Sequence, residues 1–156
     1  MLRNKFKREL CIICSAGGHL SEALELISAT DADKYIVTKY EPHIAERLAE
    51  IETYYINNPH TSLWGYFINA IRSLLLFIRH RPKIVLTTGA GIALPMCLIG
   101  KLYGSKIIYV ESGARVTTTS KMGRFLYKHN LADVFYVQWE SMLKHHPNAT
   151  YAGRLI

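Results

Sequence analysis

Short apolar runs alternate with helix-period segments along this whole chain, and that alternation fixes its fold class before composition is considered. Residues 10–14 (LCIIC) read as a strand and 20–27 as a helix. Residues 35–38 are a second strand. A second helix at 42–51 follows from the spacing of Ile44, Leu48 and Ile51, and a short third strand covers 54–56. Asn57, Asn58 and Pro59 break the chain there. Ser62 is placed to cap a long helix to about residue 79, with Pro82 just beyond its end. A fourth strand (84–87), a helix (92–103, with Pro95 in its first turn), a fifth strand (107–110), a helix (120–130) and a sixth strand (134–137) follow. A short helix near 140–144 and a last strand near Thr150 finish the domain. Strands this uniformly apolar belong in a parallel sheet covered on both faces. The expected fold is therefore a Rossmann-like, doubly wound α/β domain. With 156 residues and no internal repeat, low-complexity tract or linker, residues 1–156 form one domain around one substantial core.

The net charge of +7 favours an anionic partner, whether nucleic acid, anionic lipid or a phosphorylated substrate. The basic residues are not interleaved with aromatics on a recognisable nucleic-acid module, so no nucleic acid is expected. Cys11 and Cys14 have C-x-x-C spacing inside the apolar first strand, where three residues of separation point them to opposite faces. They read as core thiols, neither a redox pair nor a zinc site, and a reducing compartment fits them. The N-terminus has a basic start (Arg3, Lys5, Lys7, Arg8) but no adequate apolar core or cleavage site for a signal peptide.

Ligands of doubly wound sheets bind outside the carboxyl ends of the strands, and three loops there are unusual. The first, SAGGHLSE (15–22), leads from strand to helix; Gly17 and Gly18 allow close backbone approach, and the helix amides would face an anion. Ser15 begins this loop, and His19 is placed to bind a phosphate or accept a proton from a hydroxyl. The second, TTGAGIALP (87–95), repeats the arrangement with Gly89 and Gly91. Both loops are also compatible with tight turns that only pack helix on strand. The third, ESGARVTTTSK (111–121), brings Glu111 to a strand end, followed by Ser112, Arg115 and Lys121. Its cationic residues suit phosphate, and a solvated loop is the alternative.

Other ligand classes fit poorly. The dinucleotide fingerprint G-x-G-x-x-G is absent, as is the acid at the end of the second strand, and there is no P-loop pattern. His145 and His146 lack further ligands at metal spacing and read as surface residues before Pro147. No metal and no cofactor is expected.

LWGYFINAIRSLLLFI (63–78) is the most apolar segment, yet shorter than the roughly 20 residues that span a bilayer. Phe67, Ile71, Leu74, Leu75 and Ile78 form a stripe, with Trp64, Leu76 and Phe77 outside it, and Arg79, His80, Arg81 and Lys83 follow. Two readings compete: an interfacial helix contacting a membrane through Trp64, Phe67, Ile71 and Leu75, or an ordinary core helix.

The motifs SAGGHLSEALEL, TTGAGIALP, the Glu111–Ser112 step and LADVFYVQWE, in this order, resemble the N-terminal half of GT-B glycosyltransferases. The chain is most similar to PssD-like polysaccharide biosynthesis subunits of bacteria. Next comes the membrane-anchored subunit of the two-chain transferase that adds the second GlcNAc to dolichol-diphosphate-GlcNAc, and more distantly MurG. The resemblance covers residues 10–156. It implies the acceptor-binding half of an enzyme that moves a sugar from a UDP-sugar to a polyprenyl-diphosphate-linked saccharide, in exopolysaccharide or capsule synthesis. A separate donor-binding subunit would be the partner, at the cytoplasmic face of a bacterial inner membrane. The resemblance makes His19 a candidate base and Glu111 a candidate catalytic acid residue. It puts the diphosphate on Ser15, Gly17, Gly18, His19, Gly89, Gly91, Ser112 and Arg115. MurG carries a longer glycine-rich first loop, and the dolichol-pathway subunit begins with a transmembrane helix that is not found here. Two other functions fit the same residues: a non-catalytic membrane recruiter of the partner, and a self-sufficient α/β enzyme acting on a soluble phosphorylated substrate.

Overall fold

The computed structural model describes residues 6–57 and 62–155. Arg3, Lys5, Asn58 and Pro59 lie outside the described residues. Seven strands form one sheet: β1 (Arg8–Cys14), β2 (Lys34–Thr38), β3 (Thr53–Tyr55), β4 (Pro82–Gly89), β5 (Lys106–Val110), β6 (Val134–Val137) and β7 (Thr150–Tyr151). Their order is β3-β2-β1-β4-β5-β6-β7, and every neighbouring pair is parallel. The strand order reverses between β1 and β4, which makes their carboxyl ends the expected crevice.

The helices are α1 (Gly18–Ser28), α2 (Pro42–Ala45), α3 (Leu63–His80), α4 (Leu94–Tyr103) and α5 (Lys121–Lys128). Strand alternation divides the core in two. Cys11, Ile13, Tyr35, Val85 and Ile107 face one side and pack with Phe77 of α3, Met96 of α4 and Leu126 of α5. Leu10, Ile12, Cys14 and Ile36 face the other side and pack with Leu20 and Ala23 of α1 and Ile44 of α2. Cys11 and Cys14 thus occupy opposite faces as expected, and burial pushes both thiols up to about 12.

Local chemistry sets the helix ends. The Ser62 and Ser120 hydroxyls accept from the Gly65 and Gly123 amides, capping α3 and α5. Gly104 takes the left-handed conformation that ends α4. The helix expected over 42–51 is shorter: α2 gives way to a 3-10 turn at Glu46–Leu48, and the Ile51 amide turns back to the Leu48 carbonyl before β3 begins.

The long helix α3 reverses the usual sense of burial. Asn69, Ser73, Phe77 and His80 are its buried residues. Leu63, Trp64, Phe67, Ile71, Leu75 and Ile78 are exposed, Leu63 at 89%. The core-helix reading is therefore wrong for this stripe. Leu74 is half-buried, and Phe77 is fully in the core. The inward polar groups are partly answered: the Asn69 side-chain amide donates to the Asn57 carbonyl (2.6 Å), and His80 Nε2 meets the Tyr54 hydroxyl (3.0 Å). The neighbouring helix α4 adds exposed Leu98, Leu102 and Tyr103 on the same side of the sheet. No described helix is long and apolar enough to cross a membrane.

Candidate functional site

The first loop leaves β1 with Ser15 half-buried and turns at Gly17, whose φ of 86° is open to glycine and strained for other residues. Gly17 is the N-cap of α1 and Gly18 its first residue; around the outward side of each nothing lies within 4 Å. The first turn of α1 therefore offers amides to open space, the arrangement that receives anions at helix N-termini.

The second loop meets the first. The Thr88 hydroxyl donates to the His19 carbonyl (2.7 Å). A Cβ at Gly89 would stand 3.2 Å from His19 Cε1 and 3.6 Å from the Tyr109 hydroxyl, so glycine there lets the imidazole lie close. His19 Nδ1 is buried with no partner among the described residues. Gly89 and Ala90 both have positive φ, 122° and 81°. The Ala90 value is strained, and such strain persists where surrounding structure holds it. A Cβ on Gly91 would collide with the Tyr66 hydroxyl of α3, so the first turns of that helix abut the second loop.

The third loop is held by carboxylates. Glu111, at the end of β5, is buried at 1% exposure. Its oxygens accept the Ser112 amide (3.1 Å) and the Ser120 amide (2.9 Å). Burial raises its pKa against those hydrogen bonds. Gly123 packs directly on it; a Cβ there would overlap the carboxylate. Ser112 has no free donor either, since its hydroxyl donates to Glu22 (3.1 Å). Arg115 closes a turn onto the Ser112 carbonyl and leaves its side chain exposed. Its charge lowers the pKa of the Tyr109 hydroxyl, which burial raises overall.

The structure thus brings His19, Gly89 and Tyr109 together, and joins the first and third loops through Glu22. Trp64, Phe67, Ile71 and Leu75 lie on the exposed face of α3, the helix whose Tyr66 abuts the second loop at Gly91. His146 is half-buried against Tyr127 and Phe135, which lowers its pKa by desolvation; it is not the surface residue expected. Sequence reasoning assigned no role to Glu22, Tyr109 or Gln138. Two of these stood inside the motifs, as the last residue of SAGGHLSE and the glutamine of FYVQWE.

Fold and site define a class: a Rossmann-like domain whose two glycine loops open at the switch point of a parallel sheet, flanked by an exposed apolar helix. The chain belongs to the Alg14-like oligosaccharide biosynthesis proteins, whose family description matches residues 43–155. It is 30% identical to the UDP-N-acetylglucosamine transferase subunit ALG14 of Candida albicans over 95% of this chain and 78% of the relative. The subunit of the same name from Rattus norvegicus is 31% identical over 86% of this chain and 62% of its own. Among solved structures, Acinetobacter baumannii MurG superposes with a TM-score of 0.68 at 13% identity, covering 85% of this chain and 42% of that one. A UDP-N-acetylglucosamine 2-epimerase from Rickettsia bellii gives 0.70 at 10% identity, over 96% and 45%. These structural likenesses establish the fold.

Proposed function

We propose that this chain is the acceptor-binding, membrane-associated subunit of a two-component transferase that moves GlcNAc from UDP-GlcNAc to a polyprenyl-diphosphate-linked saccharide. The observation that carries this reading is the placement of α3. Its exposed apolar face begins beside the second glycine loop, where Tyr66 touches Gly91. A ligand with an anionic head and a hydrocarbon tail fits that juxtaposition: the diphosphate at the amides of Gly18 and the loop at Gly89, the tail along the membrane that α3 contacts. The basic surface adds attraction to anionic lipid. The donor site and UDP-GlcNAc specificity are inferred from the relatives, each named a UDP-N-acetylglucosamine transferase subunit. A partner chain supplies them here. The sheet face on the α1 side, where Ile84, Ile108 and Tyr136 remain only partly buried, offers apolar area for that partner. The setting in bacterial exopolysaccharide or capsule synthesis, at the inner membrane, rests on the PssD-like resemblance.

In this reading His19 accepts the proton of the acceptor hydroxyl as that oxygen bonds to the sugar C1. The C1–O bond to UDP breaks, and the UDP diphosphate leaves with the electron pair. Glu111 is assigned a supporting part, because backbone amides already occupy both its oxygens. Arg115 and the two glycine loops hold the diphosphate.

The test is transfer of label from UDP-GlcNAc into extracted lipid, using source membranes that lack this chain. Restoration by wild type and not by His19→Ala is expected. Restoration by both would make the chain a recruiter of an independently competent partner. Restoration by neither, with turnover on a soluble phosphorylated acceptor, would replace the reading altogether.

A further inference from the structure

Glu22 sits on α1 at 3% exposure, one turn past Gly18. One of its oxygens gathers three donors: the Gly113 amide (2.7 Å), the Ser112 hydroxyl (3.1 Å) and the Gln138 side-chain amide (3.2 Å). Its other oxygen is buried without a partner among the described residues. Gln138, also 3% exposed, donates in addition to the Glu111 carbonyl (3.1 Å), and its own oxygen accepts the Leu155 amide (2.9 Å). Trp139 then donates to the Gly113 carbonyl (2.7 Å), so Gly113 is gripped at both ends of its peptide units. A Cβ on Gly113 would stand 3.2 Å from the Gln138 oxygen and 3.5 Å from Glu22.

A buried carboxylate is expensive to keep, even one bonded at a single oxygen. A glutamine or an apolar residue would fill that volume at lower cost, and a carboxylate repels the anion expected in the neighbouring crevice. We infer that Glu22, with Gln138, is a positioning residue. It pins the Ser112–Arg115 turn to α1, keeps the Arg115 charge within reach of Tyr109 beside Gly89, and so sets the affinity for the anionic acceptor. This inference rests on the reading of the crevice as an acceptor-diphosphate site. It assigns Glu22 no proton transfer: its bonded oxygen is saturated by two donors from the turn and one from Gln138.

The experiment uses the full chain with its donor-binding partner, varying acceptor concentration. Glu22→Ala is expected to raise the acceptor KM roughly tenfold while kcat changes by less than about threefold, since only ground-state positioning is lost. Glu22→Gln keeps an acceptor oxygen for the same three donors and should restore KM to within about threefold of wild type. Gly113→Ala crowds Gln138 and Glu22 from the opposite side, and should raise KM in the same sense while leaving the carboxylate itself in place. An unchanged KM in Glu22→Ala, or a Glu22→Gln variant as impaired in kcat as His19→Ala, overturns the proposal. If Glu22→Ala fails to fold, Gly113→Ala decides alone. If the wild-type complex transfers no sugar, the functional reading fails. The clamp is then judged on the chain by itself: hydrogen exchange at the Gly113 amide must accelerate in Glu22→Ala and stay protected in Glu22→Gln. Equal protection in both would dispose of the clamp as well.

Discussion

Helices α3 and α5 lie on the same face of the sheet and obey opposite rules. In α5, Met122, Gly123 and Leu126 turn inward while Lys121, Arg124 and Lys128 meet solvent, with Phe125 the apolar exception. In α3, Asn69, Ser73 and His80 turn inward beside Phe77, and six large apolar residues turn out. Helix α5 is thus explained by this chain's own core. Helix α3 is not: exposed patches of this size on a soluble surface mark an interaction site or an aggregation liability. The inward polar residues teach the same lesson, because folding alone would have favoured the reverse arrangement. What stabilises α3 within the fold is its short polar pairing to Asn57 and Tyr54, together with Phe77.

The comparison breaks most readily at the cores of the two helices. Leu126→Ala in α5 should destabilise the domain by about 2–5 kcal/mol in denaturant unfolding. Leu75→Ala on the outer face of α3 should stay within about 0.5 kcal/mol. Equal losses would mean that α3 is packed after all.

The outer face should instead show its worth on vesicles. Phe67→Ser combined with Leu75→Ser removes two side chains, each worth about 1.5–3 kcal/mol when buried. Partitioning onto anionic phosphatidylglycerol vesicles is expected to fall at least tenfold, with an unchanged melting temperature.

Two polar groups, one exposed and one buried, sharpen the contrast further. Asp133, beyond the end of α5, accepts the Ile107 amide (2.7 Å) and the Lys101 ammonium (2.5 Å). Burial pushes its pKa up, but those partners outweigh burial and leave it below the ordinary value. A depressed folded-state pKa contributes stability that is present above the unfolded value of about 4 and is lost as pH falls through the folded one. Asp133→Asn should therefore flatten the acid limb of the stability profile below about pH 4. On the α3 side the Ser73 hydroxyl is buried without a partner among the described residues. Ser73→Ala should be neutral or stabilising by up to about 1 kcal/mol, the smallest of these effects.

The strand and helix order was legible in the sequence because the central strands β1, β2, β4 and β5 are largely apolar on both faces, and Ser62, Ser120, Pro42 and Gly104 mark helix ends in their expected places. The first two glycine loops were legible for the same reason: Gly17 and Gly89 take positive φ at strand ends. The sense of α3 was only half legible. Its apolar stripe follows from spacing, but which face looks inward depends on Asn57 and Tyr54, partners 12 and 26 residues away from Asn69 and His80. The burial of Glu111 was not legible, since position at a strand end says nothing about the Ser120 amide that folds back onto its carboxylate. Glu22 and Gln138 were invisible as a pair, being 116 residues apart. Single-chain periodicity carries no signal at that separation.

The most direct measurement is fluorescence of Trp64 in the full chain on vesicles carrying brominated lipid. The chain has two tryptophans, and Trp139 is tied to the third loop, so Trp64→Phe reports the difference. Quenching that disappears in Trp64→Phe is the result this account predicts. Bound protein whose Trp64 is not quenched would contradict it and leave the outer face of α3 to a protein partner.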